Sequence, residues 1–431
     1  MNSPRHNYDV LVIGGGPAGL AAAVSAKESG VRVAIVDDNP GLGGQIWRGQ
    51  QRKATVPEAA EWLNRVQAAQ VEFINGARVY DQPEAGLLLA ETFDGVLEIR
   101  FRKLILATGA RERFLPFPGW TLPGVAGAGG LQALVKSGLP IDGKKVVVAG
   151  TGPLLLAVAA YLRKRGAEVL LIAEQAPLKS LLSFGLGLMR SPGKIVQALQ
   201  LKRELAGIPH LTRCWPVAAD GNEQLQSVKL QRGQKRWDVA CDYLACGFHL
   251  VPNTELAAFF GCGLRASVVQ VDDFQLTTIP NIYCAGESTG IGGLEVSLIE
   301  GQIAGLTATG QQEEARALFA ERRKHQRFAD LLNRTFALRE ELKGLPQPDT
   351  IVCRCEDVSF ARLQQQSGQQ SPWRAAKLHT RCGMGPCQGR VCGAAIEFLL
   401  GWQTESVRPP VFPVKLGGLI RDTTLIAEQQ Q

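Results

Sequence analysis

Residues 8–19 read Tyr-Asp-Val-Leu-Val-Ile-Gly-Gly-Gly-Pro-Ala-Gly. The first half, Tyr8 to Ile13, is the apolar run of a strand buried on both faces. The second half is a glycine turn, followed by an alanine-rich helix through Ala26 that ends at Gly30. A second strand, Val33 to Val36, runs into Asp37 and Asp38. Strand, glycine turn, helix, strand and terminal acid in this order make a complete βαβ dinucleotide-binding unit. Gly14 makes the turn, Gly16 lets the backbone approach a pyrophosphate, and Gly19 lets the helix pack on the strand. Pro17 and Ala18 complete the loop, where free N–H groups and the positive helix end meet phosphates. Asp37, with Asp38 beside it, sits where a carboxylate accepts a ribose hydroxyl.

The pattern returns. Lys145 to Ala149 is a strand, Gly150-Thr151-Gly152 a turn, Pro153 to Arg165 a helix, and Val169 to Ile172 the next strand. The third glycine position carries Leu155, whose bulk is expected to push the helix off the strand. The same alignment puts Ala173 at the acid position, with Glu174 displaced by one residue. Two readings stay open: a second nucleotide site using Gly150 and Gly152, or a retained fold without working nicotinamide chemistry. The damage weighs against productive NAD(P)H chemistry.

The wider composition sets limits. A chain of 431 residues suggests about three domains. With 45% hydrophobic and 20% charged residues it is not a disordered chain. The net charge of +7 is spread without a dense basic run, so no nucleic-acid partner is expected. The longest apolar run, around Leu154 to Leu162, falls short of the ~20 residues that cross a bilayer, so no transmembrane segment is expected. A strand that the fold needs begins at Tyr8, so no cleaved leader is expected. Ten cysteines then read as reduced thiols or metal ligands in a cytoplasmic chain.

Two further segments carry a resemblance. Lys103 to Ala107 is a strand feeding Thr108-Gly109-Ala110, and residues 277–287 read Thr-Thr-Ile-Pro-Asn-Ile-Tyr-Cys-Ala-Gly-Glu. Both resemble the accessory FAD motifs of the glutathione-reductase-like flavoproteins, the class with two dinucleotide-binding domains. By that resemblance Gly14, Gly16, Gly19, Asp37, Thr108, Gly109, Gly286 and Glu287 bind FAD. Most of the family carries Asp where this chain has Glu287. Gly43-Gly44-Gln45 resembles the loop beside the flavin ring. Gly290 to Gly293 leads into a helix from about Glu295, whose N-terminus can stabilise negative charge on a reduced flavin. The redox cysteine pair of the disulfide reductases is missing after Gly44. Cys241, Cys246, Cys262 and Cys284 stand in apolar or glycine-rich surroundings and read as core cysteines.

Residues 311–343 form a charged amphipathic stretch, with Leu318, Phe328, Leu331, Leu332 and Leu342 able to share one stripe. Pro346 and Pro348 then mark a boundary. Beyond it come Cys353-Arg354-Cys355 and Cys382-Gly383-Met384-Gly385-Pro386-Cys387. Four thiolates in two close pairs can hold zinc or an iron–sulfur cluster. Cys-x-Cys is tight for a zinc knuckle, which favours the cluster. Gly383, Gly385 and Gly389 keep the backbone near, so that N–H groups can bond the sulfurs. The segment resembles the small helical [2Fe–2S] domain of the bacterioferritin-associated-ferredoxin type. By that resemblance Cys353, Cys355, Cys382 and Cys387 are the ligands, and Cys392 is a helix cysteine outside the pattern.

The whole order resembles the alpha subunits of multi-subunit, FAD-dependent amino-acid dehydrogenases. That group includes opine oxidases, hydrogen cyanide synthase, D-hydroxyproline dehydrogenase and dye-linked proline dehydrogenase. The stretches 121–125, Thr-Leu-Pro-Gly-Val, and 408–413, Arg-Pro-Pro-Val-Phe-Pro, carry the same likeness. The expected class is α/β. An FAD-binding domain takes residues 1–120 and 266–310, and a second, degraded nucleotide domain takes 121–265. A helical linker follows at 311–348, a [2Fe–2S] domain at 349–400 and a tail at 401–431. The resemblance implies a D-amino-acid-oxidase-like FAD beta subunit that oxidises a CH–NH donor, with a small third subunit in some complexes. This chain would relay the electrons to an acceptor such as a quinone, as a cytoplasmic protein that is peripheral to the inner membrane through the complex. The five histidines are scattered and form no catalytic pattern, so no catalytic residue is assigned. Two other readings compete: an autonomous NAD(P)H-dependent FAD/[2Fe–2S] reductase, and a zinc-bound assembly module.

Overall fold

Strand β1 (His6–Ile13) buries Val10 to Ile13 and lies between two parallel neighbours. Helix α1 (Pro17–Lys27) starts on proline at its first turn, and every residue from Ala18 to Ala26 is buried. Strand β2 (Val33–Asp37) is buried over its whole length. The computed structural model describes residues 6–51, 55–189, 192–403 and 407–419. Of the expected tail, 404–406 and 420–431 lie outside the described residues.

The chain divides into two units. The first takes residues up to Gly109, then Pro252–Arg323, and among the described residues 407–419. Its sheet runs in the order 72–75, β2, β1, 96–106, 87–91, 78–84, with Ile282–Cys284 pairing parallel to 96–106. The strands around β1 are parallel, and the hairpin at the far edge is antiparallel. An alanine-rich helix allows close helix packing. The long helix Gly293–Ala308 lies against α1 so closely that a Cβ on Gly301 would sit 2.2 Å from the Ala18 carbonyl oxygen. One on Gly305 would sit 2.3 Å from that of Ala22.

The second unit takes Ala110–Val251 and, among the described residues, 324–403. Residues 110–120 therefore group with it, and 252–265 with the first. Its sheet is fully parallel: 210–212, β4, β3, 243–248, 125–127, with β3 (Lys145–Thr151) and β4 (Glu168–Glu174) joined by α2 (Leu154–Lys164). A three-stranded antiparallel meander follows at 214–220, 227–232 and 235–240. Two Rossmann-type sheets in one α/β chain are the architecture the two glycine turns predict. The amphipathic stretch forms helices Gln312–Ala317 and Phe319–Thr335. The cysteine-bearing segment is a short hairpin, Ile351–Cys353 with Val358–Ser359, followed by three small helices. No helix among the described residues is long and apolar enough to cross a membrane.

Candidate functional site

The first glycine turn is a cradle with no room for side chains. Gly14 has φ +111°, and a Cβ there would lie 2.2 Å from the Ala107 carbonyl oxygen. At Gly19 it would lie 1.8 Å from the oxygen of Gly14. Both contacts are with backbone, which cannot swing away. The Gly43 N–H donates to the Gly15 carbonyl at 2.7 Å and folds the Gly43-Gly44 loop over the turn. Asp37 is buried, and one oxygen accepts the Gly15 N–H. Its other oxygen accepts the backbone N–H and side-chain amide of Asn39, both at 2.7 Å. The carboxylate is thus aimed at the mouth of the turn. Asp38 points away and pairs with Arg78 at 3.4 Å. Gln45 is exposed and accepts from Arg48 at 3.2 Å.

The Thr108-Gly109 loop is stapled from distant chain segments. Thr108 Oγ1 donates to the Asn253 carbonyl at 2.6 Å and lies 2.9 Å from Ser288 Oγ. Asn253 Nδ2 donates back to the Thr108 carbonyl at 2.9 Å, and Ser288 Oγ to that of Gly109 at 3.2 Å. Gly286 opens a 3₁₀ turn whose N–H donates to the buried Glu300 at 3.0 Å. The Glu287 carboxyl is held by the Gly293 N–H at the start of the long helix, while burial pushes its pKa above the usual carboxylate range. Gly14, Gly16, Pro17, Ala18, Gly19, Asp37, Gly44, Thr108, Gly109, Gly286 and Glu287 all belong to this one unit. Asn39, Asn253, Ser288 and Glu300 were not expected. Asn39 acts locally on Asp37, whereas Asn253, Ser288 and Glu300 act through partners that only the folded chain brings to them. A cradle that a Cβ would fill, with a carboxylate at its mouth, fits a dinucleotide.

The second turn corrects one expectation. Glu174 pairs in register with Gly150, and Ala173 with Ala149. In the first fold Val36 pairs with Ile13, which puts Asp37 opposite Gly14. Glu174 is therefore the equivalent of Asp37, not a displaced neighbour. A bulge in β4 between Val169 and Leu171 absorbs the extra residue. Glu174 is 2% exposed. It accepts from the Gly152 N–H at 2.7 Å, the Thr151 hydroxyl at 2.9 Å and the Ala176 N–H at 2.7 Å. Burial still pushes its pKa up to about 7. Leu155 is buried in the core with Val146, Val148, Val158 and Ala245. The chain also closes on this turn. Thr151 Oγ1 lies 3.2 Å from the Phe336 carbonyl oxygen, and Gln175 Nε2 donates to the Ala337 carbonyl at 3.1 Å.

The cysteine segment brings its thiols together. Cys353, Cys382 and Cys392 have sulfurs within 4.8 Å of one another, with Cys382 and Cys392 3.9 Å apart. Cys387 bonds Cys392 and Cys355, so all five sulfurs form one group. Cys392 thus corrects the expectation that it stands outside the pattern. It opens the helix Cys392–Leu400, but the turn through Gly389 at φ +78° carries its sulfur back into the group. The missed signal is plain: Cys387-x₄-Cys392 repeats the spacing of Cys382-x₄-Cys387. Backbone N–H groups do reach the sulfurs: Gly383 and Glu356 to Cys353, Cys387 to Cys355, Val391 and Gly389 to Cys387. Thiol hydrogen bonds from Cys382 and Cys392 hold Cys353 far below the usual cysteine range. Gly385 is required by space, since a Cβ would lie 2.3 Å from that of Cys355. The Arg111 guanidinium donates to the Arg390 carbonyl at 2.9 Å, between Cys387 and Cys392. Five thiols and a collar of N–H donors suit an iron–sulfur cluster. Cys214, Cys241, Cys246, Cys262 and Cys284 are buried in apolar cores, as read for the last four.

Comparison with known proteins agrees with this geometry. Residues 8–312 match the family described as pyridine nucleotide-disulphide oxidoreductase. The chain is 30% identical to one of the subunits of opine oxidase from Agrobacterium tumefaciens (strain Ach5), over 96% of this chain and 91% of that protein. It is 31% identical to hydrogen cyanide synthase subunit HcnB of Pseudomonas protegens, over 89% of each. Among solved structures, L-proline dehydrogenase from P. horikoshii superposes with a TM-score of 0.71 at 21% identity, over 97% of this chain and 80% of that one.

Proposed function

The chain belongs to the pyridine nucleotide-disulphide oxidoreductase family, and on that premise we propose that it is the FAD- and [2Fe–2S]-carrying subunit of a multi-subunit amino-acid, imino-acid or opine dehydrogenase. It relays electrons from a substrate-oxidising, D-amino-acid-oxidase-like beta subunit to an acceptor such as a quinone. The observation that carries the reading is the coexistence of a dinucleotide cradle and a five-thiol group in one chain. The names of the relatives, subunits of opine oxidase and hydrogen cyanide synthase, support it. When bound, FAD accepts two electrons and a [2Fe–2S] cluster exchanges them singly. Gly14, Gly16 and Gly19 clear space for the pyrophosphate, Asp37 orients the ribose, and Thr108, Gly109, Gly286 and Glu287 frame the remainder. The N-terminus of the Gly293–Ala308 helix favours negative charge nearby.

The test uses the full chain alone and with its co-purified partner. Amino-acid-dependent dye reduction is expected only from the complex, and reduction by the chain alone overturns the relay. Metal analysis is expected to find two irons with acid-labile sulfide per chain, whereas a single zinc overturns the cluster. Cys353, Cys355 and Cys387 are proposed ligands. The fourth place, assigned to Cys382 by resemblance, is contested by Cys392, which bonds three of the other sulfurs. We expect Cys382→Ser to keep its iron and Cys392→Ser to lose it; the reverse restores Cys382.

A second reading, the autonomous NAD(P)H-dependent reductase, gains support from Glu174 standing at the acid register. Anaerobic NADH or NADPH titration of the flavin-loaded chain decides it. Rapid flavin bleaching supports the reductase, and none is expected.

A further inference from the structure

Between β4 and the strand His210–Thr212 the chain leaves the core as two helices, α3 (Leu178–Leu188) and α4 (Pro192–Glu204). No residue of α3 is buried. One side docks: Phe184 meets the Phe336 ring edge-on at 5.3 Å and lies 6.0 Å from Phe328, and Gly187 fits against Leu331. That contact fixes which side faces out. Leu178, Leu182 and Leu186, four residues apart on one stripe, are 57%, 63% and 71% exposed. Met189 continues the patch at 70%, and α4 adds Val196 at 65% and Leu199 at 56%. Scattered exposed leucines need no explanation, but six large apolar side chains on one insertion mark a binding surface.

Charge identifies what it binds. Residues 178–203 contain no Asp or Glu and five Lys or Arg: Lys179, Arg190, Lys194, Lys202 and Arg203. At the chain's average of 40 acids in 431 residues, a stretch this long carries about two. The first acid beyond it, Glu204, is bonded to Lys164 at 2.7 Å. The stretch has no Trp or Tyr, and its one aromatic residue, Phe184, packs inward. A stretch with flexible exposed leucine and methionine side chains, five cations and no acid has the composition of helices lying in an anionic bilayer surface. At 11 and 13 residues the two helices are too short to span.

We propose that the α3–α4 hairpin binds directly to the surface of membranes rich in anionic phospholipid, its Leu and Met side chains entering the acyl boundary and its Lys and Arg meeting lipid phosphates. The surface stands without the cofactor reading. Only its consequence, an electron carrier brought to the bilayer where a quinone dissolves, rests on the proposed function.

The test is co-sedimentation of the full-length chain with vesicles of phosphatidylglycerol and phosphatidylcholine, or of phosphatidylcholine alone. Binding to the anionic vesicles is expected to be at least about tenfold stronger and to weaken with salt. Leu182→Asp/Leu186→Asp is expected to abolish it. Lys202→Glu/Arg203→Glu, on another helix, is expected to lower it about tenfold. All four positions are exposed, so thermal melting and flavin content should match the parent chain. Failure of the parent chain to bind anionic vesicles overturns the proposal, as does undiminished binding by both variants. It is also overturned if Leu182→Asp/Leu186→Asp instead disperses a self-associated form, or if the co-purified partner protects 178–199 from hydrogen exchange. Either result would make the hairpin a protein interface.

Discussion

The two nucleotide turns share a register and differ in what their atoms are free to do. In the first, Asp37 stands opposite Gly14, and Gly19 lets α1 sit on the backbone itself. In the second, Glu174 stands opposite Gly150, but Leu155 fills the place of Gly19 and joins the core. Both oxygens of Asp37 are held, one by the Gly15 N–H of the turn and one by Asn39 on the rim. Both oxygens of Glu174 are taken by the turn's own donors, and Thr151 and Gln175 face carbonyls of 336–337. An acid at the right register is therefore not enough for a nucleotide site. What separates the turns is the third position, where Gly19 lets the helix reach the turn's backbone and Leu155 is part of the core.

The third glycine position should separate the turns most sharply. Gly19→Ala places a methyl group 1.8 Å from a backbone oxygen, so helix and turn must part. Overpacking of this kind costs about 1–3 kcal/mol, and here it falls on the phosphate loop. We expect the chain to purify with at least about tenfold less flavin, read from the visible absorbance per protein. Leu155→Ala is the counterpart. It should leave flavin content untouched and cost about 2–5 kcal/mol, seen in denaturant melts, because it opens a cavity in a closed core. Full flavin in Gly19→Ala would break the comparison at its root.

The two acids give the next effect. Asp37→Asn should weaken flavin retention several-fold, since an amide cannot accept at both oxygens. Glu174→Gln should leave flavin alone and change pH dependence instead. A buried carboxyl raised to about 7 holds its proton more tightly when folded than unfolded. Its contribution is fully present below the unfolded value near 4.5 and is lost as pH rises through 7. The whole swing is about 3 kcal/mol at 1.36 kcal/mol per pK unit. Melting of the parent chain should therefore fall between pH 5 and 8 more steeply than that of Glu174→Gln. Parallel profiles would mean that Glu174 is ionised throughout.

Legibility in the sequence followed the range of the physics. Gly14, Gly19 and Asp37 could be read because their reasons are local: a turn, a close approach, a strand end. The bulge at Leu170 could not, since a run such as Val-Leu-Leu-Ile gives no alternation to show where a strand slips. That single residue turned an equivalent acid into an apparent misfit. Asn253 and Ser288 were invisible because the staple they form on Thr108 exists only after folding. Cys392 was visible as a repeated spacing, but a helix start there hid that its sulfur points back. The α3–α4 hairpin followed the last strand of the second glycine-turn pattern, where no motif drew notice.

The smallest effect tests whether the second turn is blocked or merely spare. Gln175 is fully buried and donates to Thr151 Oγ1 at 2.9 Å and to the Ala337 carbonyl at 3.1 Å, while its own Oε1 has no partner among the described residues. Gln175→Ala removes two buried hydrogen bonds and one unsatisfied acceptor. The terms oppose, so the net cost should be about 1 kcal/mol. Hydrogen exchange should quicken around 333–340 and little elsewhere, because that segment loses its tie to β4. If 336–337 were a cover over a latent site, loosening it would let ADP-ribose bind where the parent chain binds none. We expect no binding to either, measured by calorimetry, because Leu155 would still fill the third position. Binding by Gln175→Ala alone would make the difference between the turns one of access rather than of construction.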